Sequence, residues 1–167
     1  SPTKGHGGFL QFLNFGYRVG LVGGGDYHCN VPGRHYPAKT KEGYNEQTCQ
    51  GGYAAIVARR LSREDIWSAI HNRRTYATTG ARIILHFSMS HAGAETGMGE
   101  EMVIAPGSAG ERAFKISFAL CSPLKEAILI RQGIPIASFS PGVQAQGSAG
   151  GKVSHDLMTG ELSFKDA

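Results

Sequence analysis

An aspartate and a histidine stand two residues apart at Asp26-Tyr27-His28, directly after the glycine run Gly23-Gly24-Gly25. A carboxylate oxygen and an imidazole nitrogen are both ligands for first-row divalent metals. In an extended segment, side chains two apart share a face, so Asp-x-His at the end of a strand aims both donors at one point. The run Arg18-Val19-Gly20-Leu21-Val22 predicts that strand, and the glycines after it let the backbone pass close to a bound group. Two ligands do not complete a zinc site, which takes at least three from protein. Taken alone, Asp26 reads as a turn-capping aspartate and His28 as a half-buried, hydrogen-bonded histidine.

Further candidates lie just downstream. Arg34 and His35 follow Pro32-Gly33 on a long polar stretch, Asn30 to Gly52, rich in Gly, Pro and Tyr. Loops of such length in a compact domain tend to be functional. A guanidinium and an imidazole there would steady an anionic substrate, although solvated loop positions are the plainer reading. Cys29 reads as a small buried thiol rather than a ligand. His6, His86, His91 and His155 have no partner at ligand spacing and are expected at the surface, with His71 on a helix flank.

The bulk properties narrow the function classes. The 167 residues suit one ordinary domain or two small ones, and 41% apolar against 18% charged describes a core-forming chain. The net charge of +4 comes from scattered Lys and Arg without an aromatic-interleaved basic stripe, which argues against nucleic-acid binding. A small acidic or phosphorylated substrate fits that charge. Three cysteines without C-x-x-C spacing indicate neither a disulfide framework nor a zinc ribbon. No apolar run approaches the roughly 20 residues of a membrane span, so no membrane partner is expected. There is no signal peptide, and Ser1-Pro2-Thr3 looks like a cut inside a longer protein. The compartment is therefore not legible, with the cytoplasm as the default expectation.

The elements that must position these residues follow from periodicity. Phe9 to Phe15 reads as the end of a helix closed by Gly16, and the strand over Arg18–Val22 follows it. That helix-then-strand unit is what one repeat of an α/β barrel looks like. A second strand is expected over Tyr53–Ala58. Ser62-Arg63-Glu64-Asp65 then reads as an N-cap with an acidic residue three positions on, opening a helix over about 62–74 whose Ile66, Ala69 and Ile70 share a face widened by Trp67. From Thr75 the texture changes. Ile84–Met89 and Phe114–Leu120 alternate apolar and polar residues, Ala127–Ala137 forms two strands around Gln132-Gly133, and a last pair is expected across Val153–Leu157 and Glu161–Phe164, turned at Thr159-Gly160. Residues 141–151 read as a small-residue linker.

Several ordered blocks carry a family resemblance: Gly23-Gly24-Gly25-Asp26-Tyr27-His28 with Pro32-Gly33, the Gly51-Gly52-Tyr53 stretch, Leu61 to Ile70, and Arg73 to Arg82. Over about residues 9–100 the chain resembles the C-terminal part of the PHP superfamily (polymerase and histidinol phosphatase), in its uncharacterised bacterial branch. The resemblance implies a distorted (β/α)7-type barrel whose strand ends hold a cluster of Zn, Mn or Fe ions and hydrolyse phosphoesters. It places the last-strand metal-ligand roles on Asp26 and His28. The family's opening His-x-His motif and its middle His and Glu ligands have no counterpart here, so most of that site would lie elsewhere.

The expected architecture is thus α/β plus all-β: residues 1–80 as the C-terminal part of a PHP-like barrel, and 81–167 as an antiparallel, β-sandwich-like module. The expected function is a share in a divalent-metal-dependent hydrolase, a phosphoesterase, inactive as an isolated fragment. The alternative is a β-sandwich module that binds a ligand or partner beside a non-catalytic barrel remnant. An open barrel edge would expose Phe9–Phe15 and Ile56–Val57 and favour a homo-oligomer or the missing barrel portion as partner.

Overall fold

The computed structural model of the chain describes residues 12–13, 15–24, 52–108, 110–142 and 148–166. These fall into two compact units, one within Gly20–Ile83 and one within Ser1–Val19 and Ile84–Ala167. Among the described residues every strand pairing is antiparallel, and there is one helix of more than two residues. No described helix is long and apolar enough to cross a membrane.

In the first unit, strand β1 (Tyr53–Ile56) pairs with β2 (Thr75–Thr78), and helix α1 (Arg63–His71) connects them. The helix starts where the sequence signals it: the Ser62 hydroxyl accepts a hydrogen bond from the Asp65 amide at 3.2 Å. Ala69 is its buried residue, while Trp67 and Ile70 stand exposed. The end of the helix decides the topology. Arg73 takes the left-handed conformation at φ 59°, its amide bonding to the Ile70 carbonyl and the Arg74 amide to the Ala69 carbonyl. This turn sends the chain straight back, so Thr75 lands opposite Ile56 and Thr78 opposite Tyr53.

That return overturns the expected barrel fragment. A β/α barrel repeat needs its strands parallel with the helix as crossover; β1 and β2 form an antiparallel ribbon, and no barrel closes among the described residues. Over those residues the fold is mostly β, made of antiparallel sheets with one short helix. The strand expected over Arg18–Val22 is likewise not a ladder strand.

The second unit is built on a five-stranded sheet in the order β4-β3-β5-β9-β8, comprising β3 (Ile84–His91), β4 (Ala94–Gly97), β5 (Arg112–Ala119), β8 (Ser148–Val153) and β9 (Thr159–Asp166). A hairpin of β6 (Ala127–Arg131) and β7 (Ile134–Phe139) forms a separate two-stranded sheet. Gln132 and Gly133 both have positive φ, 52° and 79°, as a tight two-residue hairpin turn requires. Strand alternation creates the core: Leu162 and Phe164 are buried while Glu161, Ser163 and Lys165, which alternate with them, are exposed. Phe118, Leu162 and Phe164 from the sheet meet Leu129 and Ala137 from the hairpin, with Leu85, Phe87 and Ile116 packed around them.

The last strand pair lies earlier than the sequence pattern predicts. β8 covers Ser148–Val153, and the reversal is Ser154–Met158, not Thr159-Gly160. Near the start of the chain, Phe12 and Leu13 form a helical turn ended by Gly16 (φ 83°), whose amide bonds to the Leu13 carbonyl. Phe12, Leu13, Phe15 and Ile56 are all exposed.

Candidate functional site

In the first unit, the chain that leads toward Asp26 lies against the β1–β2 ribbon. A methyl group on Gly20 would stand 3.0 Å from the Thr75 hydroxyl, and one on Gly23 would stand 2.5 Å from the Tyr53 carbonyl oxygen. Gly52 is as tightly set, 2.7 Å from the Thr78 carbonyl by the same measure. The glycines are there because backbone approaches backbone with no room for a side chain. The Gly52 amide then donates to the Gly24 carbonyl at 3.2 Å. Gly24 and Gly52 therefore lie side by side, at the end of the ribbon where Tyr53 faces Thr78.

The stretch between those two glycines contains Asp26, His28, Arg34 and His35. All four lie outside the described residues, as does Cys29. Among the described residues, no group of three or more His, Cys, Asp or Glu is placed to hold a metal ion.

The described histidines do not assemble. His71, His86 and His155 are exposed, while His91 departs from the expected surface position. It is 8% exposed, with Nε2 3.4 Å from the Ser108 hydroxyl and a buried Nδ1 lacking any partner. Its place was legible after all, since Phe87, Met89 and His91 continue one alternating face of β3.

A second concave feature belongs to the other unit. Ser88 and Ser90 of β3, Ala113 and Lys115 of β5, Glu161 and Ser163 of β9, Lys152 of β8 and Glu95 of β4 line a groove of about 520 Å³ on the face of the sheet opposite the core. Lys115 pairs with Glu161 at 3.2 Å. Sequence alternation identifies these positions as outward-facing but carries no sign of the depression.

Comparison with known proteins gives a family match over part of the chain. Residues 32–110 match the model of a family described as a protein of unknown function, DUF3604. An uncharacterized protein of Chlamydia muridarum is 28% identical over 137 residues, covering 81% of this chain and 20% of the relative. One from Chlamydia trachomatis has the same identity and coverage, and one from Chlamydia pneumoniae is 34% identical over 92 residues, 54% of this chain and 14% of its own. The chain spans about a fifth of the length of the first two relatives. No solved structure matches it.

These matches correct the PHP assignment. The blocks from Pro32 to Arg82 that carried that resemblance fall within the DUF3604 match, and neither family nor relatives place the chain in the PHP superfamily. The antiparallel β1–β2 ribbon removes its structural basis as well.

Proposed function

We propose that this chain supplies Asp26 and His28 as two ligands of a divalent-metal site that hydrolyses a phosphoester. Asp26 serves as the anionic ligand. His28 serves as the neutral nitrogen ligand, its second ring nitrogen requiring an acceptor to fix the tautomer. Arg34 and His35 bind the anionic group of the substrate. A Zn, Mn or Fe ion at such a site supplies Lewis acidity that brings the pKa of a bound water toward neutrality.

The observation that supports this reading is the Gly52–Gly24 hydrogen bond. It ties together both ends of the stretch carrying all four residues, next to a ribbon end whose backbones are already in contact. A fixed base limits the conformations open to the two donors, which lowers the entropy lost on ligation. The remaining ligands come from outside the described residues or from a second chain. On its own, this chain then holds metal weakly and has no phosphoesterase activity.

Competition with a chromophoric chelator, using Zn²⁺ and Mn²⁺ separately, tests the proposal on the chain and on an Asp26→Ala/His28→Ala double variant. Weak binding by the parent that disappears in the variant is expected. Identical affinities in the two proteins would remove Asp26 and His28 from any metal site.

A further inference from the structure

We propose that the outer face of the five-stranded sheet is a binding site for a neutral saccharide, seated in the groove that crosses β3, β5, β9 and β8. The proposal is independent of the metal site, since every residue lining the groove belongs to the second unit.

The composition of this face is the starting point. Strand positions favour β-branched and aromatic side chains, which cover the backbone and pair across strands, whereas Ala and Gly fit a pleated sheet poorly and a serine covers little of it. Here one cross-strand row runs Ser88, Lys115, Ser163, Gly150, and the next brings Ser90 opposite Ala113. The small residues sink the surface on either side of Lys115, which stands between Ser88 and Ser163 in the row, with Glu161, Lys152 and Glu95 toward the rim. The result is a depression of about 520 Å³, within the range of roughly 300–1,000 Å³ usual for small-molecule sites. Poor strand formers in a central stretch of sheet, leaving room on the surface, are a local conflict of the kind that marks function.

The donors and acceptors define the ligand class. Lys115 and Lys152 contribute two positive charges, Glu95 and Glu161 two negative ones, so the lining is electrically balanced. A phosphate or other strong anion gains no net attraction there. The floor is polar, with hydroxyls from Ser88, Ser90 and Ser163, so a purely apolar ligand would strand them. Among the described residues the Ser90 and Ser163 hydroxyls reach only the Ala113 and Gly150 carbonyls, at 3.5 and 3.4 Å, long bonds that a better partner displaces at little cost. Each hydroxyl of a sugar both donates and accepts. Adjacent hydroxyls can therefore engage the Lys115 ammonium and the Glu161 carboxylate together while a third meets the serine floor. Among the described residues the one aromatic residue of the lining is Phe114, whose ring stacks on Phe87 and packs against the core, so affinity rests on hydrogen bonding and is modest, on the order of 1 mM.

The test is amide chemical-shift titration of the isotope-labelled full chain with glucose, maltose and inorganic phosphate in separate series at matched ionic strength. Saturable shifts from at least one sugar, centred on Ser88, Ser90, Lys115 and Ser163, with none from phosphate, are expected. A Ser88→Leu/Ser163→Leu variant fills the floor and a Glu161→Gln variant keeps its shape without the carboxylate. Each should weaken sugar binding about tenfold or more while the remaining amide spectrum keeps its dispersion, a change worth about 1.4 kcal/mol. Absence of saturable shifts from both sugars, the same shifts from phosphate, or undiminished binding in the leucine variant would each overturn the proposal.

Discussion

The Gly52 amide and the Gly24 carbonyl meet at 3.2 Å, joining two points that are 28 residues apart in sequence (52 − 24) across the stretch that holds Asp26, His28, Arg34 and His35. The contact depends on the neighbouring glycine, because a Cβ at position 23 would press to 2.5 Å from the Tyr53 carbonyl oxygen. Gly23→Ala therefore forces backbone apart at the base of that stretch. The expected cost is about 1–3 kcal/mol, as for overpacked sites generally, measured by urea unfolding monitored at Trp67. The same variant should weaken whatever metal affinity Asp26 and His28 confer, although neither ligand has been altered. An unchanged unfolding midpoint would mean that the approach of Gly23 to Tyr53 is not maintained in solution.

Asp166 receives two arginines, Arg112 of β5 at 2.8 Å and Arg131 from the β6–β7 hairpin, and its carboxylate is 15% exposed. Arg131 connects the hairpin to the five-stranded sheet through this one group. Asp166→Asn leaves two guanidinium groups without their anion, and loss of charge-assisted bonds of this kind costs roughly 1.5–3 kcal/mol. Lys165, next to Asp166 on β9, makes an exposed pair with Glu111, and Lys165→Ala should change stability by less than about 1 kcal/mol. Equal losses in the two variants, read by equilibrium denaturation, would contradict the distinction drawn from burial.

Neighbouring residues of β9 make a sharper comparison. Leu162 is 1% exposed in the core, and Ser163 lies on the opposite, open face. Leu162→Ala should cost about 2–5 kcal/mol. Ser163→Ala should stay within about 0.5 kcal/mol, as surface substitutions usually do. A large effect of Ser163→Ala on folding would show that the groove floor is a structural element, which would also weaken its reading as a ligand site.

The elements most legible in the sequence were those whose signal is local. Ser62 and Asp65 announce α1 because a cap satisfies amides within one turn, and Gln132-Gly133 announces the β6–β7 reversal because few residue pairs accept two positive φ angles. The alternation of β3, β5 and β9 mirrors a single buried face. Topology was not legible in the same way. Whether β2 runs with or against β1 turns on one left-handed residue, Arg73, and an arginine gives no hint of that conformation. β8 escaped notice because Ser148-Ala149-Gly150-Gly151 has the composition of a linker and becomes a strand only by pairing with β9.

The candidate site divides along similar lines. Asp26 and His28 stand out by residue type and spacing, but a third donor beside them would come from contacts distant in sequence, which no local pattern encodes. The groove was invisible for the converse reason. Ser88, Lys115 and Ser163 are unremarkable outward positions, separated by 27 and 48 residues (115 − 88 and 163 − 115), until the register of three strands sets them in one row.

The reversal between β8 and β9 yields a prediction about pH. The Ser154 hydroxyl donates to the Asp156 carboxylate, and the Met158 amide donates to it at 3.0 Å. These two bonds, the Ser154 one foremost, favour the ionised carboxylate and hold its pKa below the ordinary aspartate value. A group whose pKa is depressed by folding stabilises the fold at pH above its unfolded value, and that contribution is lost as pH falls through the folded value. The turn at Ser154–Met158 should therefore be fully supported at neutral pH and loosen only in acid, below the usual aspartate range. Amide exchange at Met158, corrected for intrinsic rate, should show protection that declines over that acid window. In Asp156→Asn the acid-dependent decline should vanish, because the neutral amide has no charge to lose. Protection in the parent that stayed constant through the window would mean the carboxylate does not anchor the turn.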